Sequence, residues 1–192
     1  MSKIRLTPNA SGTGTVTLTV PSTSTDRTIT LPDNSGNVIT TSTAGTILQV
    51  VQATTTTTVT ITTTTYTDTT LSASITPTSS SNKILVLVEQ QFRIIRDVIG
   101  QGMGIRLLRN STVVWNPITN ANGPFTLYSN QSSSLYFYTH INYLDSPATT
   151  SAITYKTQGR PHTTANNGKV QFQLNDTVSN AISTITLMEV VA

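Results

Sequence analysis

Cysteine is absent from the 192 residues, which removes disulfide staples and thiolate-bound metal from the ways this chain could be held together. Charge is scarce as well. Asp, Glu, Lys and Arg make up 10% of the chain, against about 25% in an ordinary globular protein, so Thr, Ser, Asn and Gln must cover the surface. The net charge of +3 and the pI near 9.4 are basic in sum, yet Arg93, Arg96, Arg106 and Arg109 are separated by apolar residues. Tracking a phosphate backbone takes a denser cationic stripe, so nucleic acid is not an expected partner. No apolar run approaches the roughly 20 residues that cross a bilayer, and no membrane insertion is expected. The opening residues MSKIRLTPNASG contain no apolar core of a secretory signal, so the expectation is a soluble protein made and assembled in a cytoplasm.

Threonine takes the place of what is missing. The stretch ATTTTTVTITTTTYTDTTL, residues 53 to 71, contains neither Pro nor Ser, which would accompany Thr in a glycosylated stalk, and it sets Val59 and Ile61 two residues apart. Thr is β-branched and stiff at χ1, so it suits extended backbone, and its hydroxyl tolerates water on one sheet face. The stretch reads as β-structure.

Alternation with period two runs through the chain. TVTLTV at 15–20 puts Val16, Leu18 and Val20 on one face, and RTITL at 27–31 repeats the pattern, with PSTSTD and PDNSGN as turns. Further strands are expected at 47–53, 57–66, 69–76, 83–96, 102–110, 112–115, 135–145, 152–157, 170–175 and 182–191. No stretch sustains the i, i+3, i+4, i+7 spacing of an amphipathic helix. The fold class is therefore all-β: residues 1–45 form a short extended β-element and residues 46–192 a sandwich, with a jelly roll as the favoured arrangement. A segment of about 45 residues without disulfides or metal buries too little core to stand alone, so it needs self-association or a partner.

ILVLV at 84–88 and ISTITLMEVV at 182–191 place apolar side chains on both strand faces. One face fills the core. The other is covered either by a loop or by another subunit, and periodicity does not choose between the two.

Catalytic chemistry finds little material. The carboxylates are scattered, and Asp26, Asp33, Asp145 and Asp176 sit in turn-like contexts. His140 lies among aromatics in a strand, and His162 follows GRP in a loop, without the four-ligand spacing of a structural zinc site. Gly100, Gly102 and Gly104 in IGQGMGI precede a strand instead of a helix and read as a hairpin turn, not a dinucleotide fingerprint. No enzymatic activity, metal or cofactor is expected. Recognition is better supplied. Trp115 and the segment after it, NPITNANGPFTLYSNQSSS, combine aromatic faces with amides and hydroxyls, a combination suited to saccharides. The receptor-contact candidates are Trp115, Asn116, Asn120, Asn122, Phe125 and Tyr128; the alternative is that Trp115 and Phe125 plug the end of the core.

The segment LTPNASGTGTVTLTVPSTSTDRTITLPDNSGNVITT resembles the N-terminal element of bacteriophage tail fibre and virion structural proteins. YTDTTLSASITPTSSSNKILVLVE, YLDSPATTSAITYK and the ending ISTITLMEV resemble their C-terminal β-domain. The resemblance covers most of the chain apart from residues 97–134. It implies a homotrimeric appendage located in the virion, with the N-terminal element docked to other virion proteins or forming a shaft, and the sandwich pointing outward to a host-surface receptor, glycan above all. Val16, Leu18, Val20, Ile29, Leu31, Leu85 and Leu87 would then meet their symmetry mates. A capsid decoration protein, cement or head fibre, is the alternative. A polysaccharide-degrading enzyme comes third, because acid and base groups are so few.

Overall fold

A computed structural model describes residues 44–97, 101–117, 125–127, 133–174 and 180–192, with isolated positions before them. The chain divides into two compact units, Met1–Asn37 and Val38–Ala192. All described strands belong to the second: β1 (Ile47–Thr55), β2 (Val59–Ile61), β3 (Thr67–Ile75), β4 (Lys83–Arg96), β5 (Gln101–Arg109), β6 (Thr112–Trp115), β7 (Phe125–Leu127), β8 (Ser133–Asp145), β9 (Ile153–Pro161), β10 (Lys169–Phe172) and β11 (Ser183–Val190). The unit is all-β, with two antiparallel sheets arranged as a sandwich. The first sheet runs β1-β11-β4-β10-β2 with β8 along the other side of β4; the second runs β3-β9-β5-β6, and β7 also pairs with β5.

Several of these strands are collinear pieces. β11 pairs with the first half of β4 and β10 with the second half, on the same side, while β1 and β2 follow β11 and β10 outside them. β6 and β7 likewise lie along successive lengths of β5.

The core lies between the sheets. Ile84, Val86, Val88, Phe92 and Ile94 of β4 face Leu71 and Ile75 of β3, Ile105 and Leu107 of β5 and Tyr155 of β9, all nearly inaccessible to water. Phe92 stacks on Phe137 at 5.4 Å between centroids and tilts against Phe172 at 6.3 Å. Phe172 occupies the space a Cβ would need at Gly159. A polar seam crosses the same core, where Gln90 donates to the Thr69 hydroxyl at 2.8 Å and Thr69 bonds Thr157 at 2.5 Å. Such partners satisfy the two hydroxyls and the Gln90 amide nitrogen, while Gln90 Oε1 is buried without a partner.

Most expected strands appear with ends shifted by a few residues, and the departures have local causes. The strand expected over 57–66 is reduced to Val59–Ile61. Thr hydroxyls compete for the backbone around it: Thr55 accepts from the Thr57 amide at 3.3 Å, and Thr63 and Thr67 both donate to the Thr65 carbonyl, at 3.4 and 3.2 Å. The chain thereby bends from the first sheet to the second. Gly102 and Gly104 do not form a hairpin turn: both lie inside β5, and the chain crosses between sheets on the way from β4. Asp145 is no turn residue either. It is buried at the end of β8, accepting from Arg109 Nη1 at 2.8 Å and the Tyr155 hydroxyl at 2.6 Å, and so joins the two sheets. Burial, followed by the bond to Asp145, raises the Tyr155 pKa, so the phenol stays a donor.

Candidate functional site

The outward face of the first sheet is built by the strands whose sequence is apolar on both sides. Alternate residues of a strand point to opposite faces, so with Ile84, Val86 and Val88 in the core, Leu85 and Leu87 point out. Register then sets their neighbours. Leu85 pairs with Met188 of β11 on one side and Leu144 of β8 on the other, and Met188 pairs with Val50 of β1. The result is a continuous row Val50, Met188, Leu85, Leu144 across four strands. Val190 and Ile47 extend it at the corner. Ile47, Val50 and Leu144 keep 53%, 55% and 51% of their surface in water, whereas Leu85, Leu87 and Met188 are half-buried by their neighbours.

Beyond this row the face turns polar. The next row is Gln52, Thr186, Leu87, Asn142, and the next Thr54, Thr184, Glu89, His140. All of these except Thr54 line an open groove of about 390 Å³. Gln52 donates to the Thr186 hydroxyl at 3.0 Å, and His140 Nε2 stands 3.9 Å from Glu89 Oε1 with both side chains well exposed. Neutral hydrogen-bonding groups beside an apolar strip can bind another surface by shape and desolvation; a lone carboxylate beside an imidazole has no second acid at hand. Among the described residues no group of three or more His, Cys, Asp or Glu could hold a metal ion.

The residues singled out from the sequence fall in different places. Leu85 and Leu87 lie on this face. Val16, Leu18, Val20, Ile29 and Leu31 lie outside the described residues, as do Asn120, Asn122 and Tyr128. Trp115 is half-buried and packs against the core cluster at the end of β6, with Asn116 exposed next to it. Phe125 opens β7, paired with Met103 of β5. The described structure thus packs Trp115 against the core cluster. Val50, Leu144 and Met188 were missed. Their signal was present: Val50 and Val51 are adjacent apolar residues that must point oppositely, and Ile141 and Leu144 differ in parity along β8.

No family model matches the chain, and no curated protein is significantly similar to it.

Proposed function

We propose that this chain is a structural subunit of a bacteriophage virion, a tail fibre or spike protein without enzymatic activity, which assembles as a homotrimer and contacts the host surface. Residues 1–45 dock it to the particle in this reading, which rests there on the sequence resemblance. The observation that carries the reading is the row Val50, Met188, Leu85, Leu144: apolar side chains laid across four strands, whose outer members Val50 and Leu144 keep 55% and 51% of their surface in water. An exposed apolar strip of this kind on an otherwise polar protein calls for a protein partner, and identical copies supply one without further components.

The strand order supports a jelly roll as the finer description of the sandwich. With β1 and β2, β6 and β7, and β10 and β11 each taken as one interrupted strand, eight strands remain, in the order 1-8-3-6 in one sheet and 2-7-4-5 in the other. That is the order of a double Greek key, an architecture common to viral capsid and lectin domains.

Light scattering on the purified full chain tests the assembly: the expected mass is three times 20.6 kDa, and Leu85→Asp is expected to yield a folded species of 20.6 kDa. A monodisperse parent monomer refutes it. Immunogold labelling of intact particles tests the position, and label confined to the head would replace the tail reading with capsid decoration.

A further inference from the structure

The outward face of the second sheet holds a cluster of cations around one aromatic ring. Tyr66 stands just before β3, and the guanidinium carbons of Arg106 on β5 and Arg160 on β9 lie 4.1 and 5.2 Å from its ring centroid. Gly104 is the cross-strand partner of Arg160, and its missing side chain makes the seat: a Cβ there would stand 2.8 Å from the Tyr66 hydroxyl and 3.1 Å from Arg160 Cγ. A ladder of polar contacts continues from it. Arg106 donates through Nε and Nη2 to Gln158 Oε1 at 2.9 and 2.6 Å, Gln158 donates to Asp68 Oδ1 at 2.7 Å, and Lys156 reaches Asp68 Oδ2 at 2.8 Å.

The cluster is not balanced. Lys156 and Arg106 act on the single carboxylate of Asp68, which Lys156 and Gln158 already engage, and with Arg160 on the same ring as Arg106 the cluster keeps two positive charges in excess. Arg160 Nε is buried without any hydrogen-bond partner. A half-buried arginine held against a ring, with its Nε buried and unpartnered, is an arrangement that an anion completes, since charged donors left unmet are costly and guanidinium forks match planar oxyanions. Two charges at one spot do not make the stripe that a phosphate backbone requires. Exposed hydroxyls continue the face along β3 at Thr70, Ser72 and Ser74, and hydroxyls and a carboxylate are groups that can bond the hydroxyls of a sugar.

We propose that Arg106, Arg160 and Tyr66 form a binding site for an oxyanion carried on a saccharide, a uronate carboxylate or a sulfate ester, with the neighbouring carboxylate and hydroxyls meeting the sugar. The site lies on a different sheet from the apolar row, so its failure leaves the self-association reading standing, and the reverse holds too.

Calorimetry on the full chain tests the site with four probes: a glucuronate-containing oligosaccharide, its carboxyl-reduced neutral counterpart, a sulfated oligosaccharide of equal length, and sodium sulfate. At least one acidic saccharide is expected to bind about tenfold or more tighter than the neutral one, the worth of one or two charged hydrogen bonds, and the preferred acid identifies the group. Arg160→Gln and Arg106→Gln are each expected to lower that affinity about tenfold, judged on variants whose melting temperature matches the parent's. Gly104→Ala changes no charge but displaces Tyr66 and Arg160, and its expected loss separates a built site from general attraction. If Arg160→Gln fails to fold, Arg160→Lys keeps the charge and removes the fork, with a smaller loss expected. Equal binding of acidic and neutral saccharides, no binding of either acid, sulfate ion binding as tightly as the saccharides, or unchanged affinity in Gly104→Ala and the arginine variants overturns the proposal.

Discussion

The two outward faces of the sandwich are made by sheets of similar size from the same alternating kind of sequence, yet they present opposite surfaces. On the second sheet, β3 reads Asp68, Thr70, Ser72, Ser74 outward and Thr69, Leu71, Ala73, Ile75 inward, and β9 sets Thr154, Lys156 and Gln158 outward. On the first, β4 turns Leu85 and Leu87 outward between Met188 and Leu144. Both sheets satisfy the core equally well, so core packing does not explain the difference. A face of hydroxyls and charged groups is compatible with water; a face of Leu, Val and Met gains about 25 cal/mol for each Å² of apolar surface that a partner covers. The comparison separates residues that specify the fold from residues that specify what the folded unit meets.

The sharpest way to break that distinction is to put the same charge one residue apart. Val86→Asp buries an unpaired carboxylate between the sheets and is expected to cost about 4 kcal/mol or more, leaving no cooperative unfolding transition at 25 °C. Leu85→Asp places it on the outer row, where water reaches it, and is expected to cost the isolated chain less than about 1 kcal/mol. Urea unfolding followed by circular dichroism measures both. Equal costs would mean that Leu85 is as much a core residue as Val86 and that the outer face is not a free surface.

Much of this arrangement is legible in the amino-acid sequence. β4 and β6 have the expected ends, because their apolar and β-branched runs are bounded by clear turn residues. The two-faced character of 84–88 was legible too, as was the pair of alternatives for its cover. What could not be read is whatever depends on residues distant in sequence. Gly104 looked like turn punctuation because the reason for a glycine there is the Tyr66 hydroxyl, 38 positions away by residue number. Asp145 looked like a turn residue because Ser146 and Pro147 follow it, while Arg109 and Tyr155, which hold it buried, come from two other strands. The Thr-rich stretch was legible as β-structure but not as a corner, since Thr has high strand propensity and a hydroxyl that competes with the strand's own ladder, and sequence does not weigh one against the other. The arginine cluster escaped notice because Arg106 and Arg160 meet only through cross-strand register.

Buried and exposed carboxylates extend the comparison from apolar groups to charge. Glu189 of β11 is fully enclosed, and burial alone would raise its pKa. Hydrogen bonds outweigh burial: Oε1 accepts from the Asn82 side chain at 2.7 Å and from the Thr78 amide and hydroxyl at 2.7 and 2.8 Å, while Oε2 accepts from Gln49 at 2.6 Å. Its pKa falls from an ordinary 4.5 to about 2. A depressed folded pKa means that the unfolded chain binds the proton first, so the stabilisation is complete above the unfolded value and is lost as pH falls from about 4.5 toward about 2. Glu189→Gln replaces one acceptor oxygen with an amide that faces donors; it is expected to cost about 2 kcal/mol at pH 7 and to flatten the stability curve in that acidic window. Thermal melts from pH 7 to pH 2 read both effects. A variant whose acid limb matches the parent's would show that Glu189 does not govern it.

Asp68 is the contrasting case on the second sheet's outer face, and beside it lies the smallest effect that still sharpens the comparison. Thr70 adopts φ +65° where the β3–β9 register shifts between Asp68 and Ser72, a left-handed conformation that is strained for a β-branched residue. Left-handed backbone costs an L-residue about 1–2 kcal/mol, and glycine gives back about 0.5–1 kcal/mol through its freer unfolded chain. Thr70→Gly is therefore expected to stabilise the unit by about 0.5 kcal/mol, a rise of one or two degrees in Tm. The hydroxyl works against this, since it donates to the Thr69 carbonyl at 2.6 Å and lies 3.3 Å from the Thr55 hydroxyl. A lower Tm in the glycine variant would show that these bonds outweigh the strain, and that the bulge placing Asp68 in line with Gln158 is held by the side chain at its tip instead of merely tolerated by it.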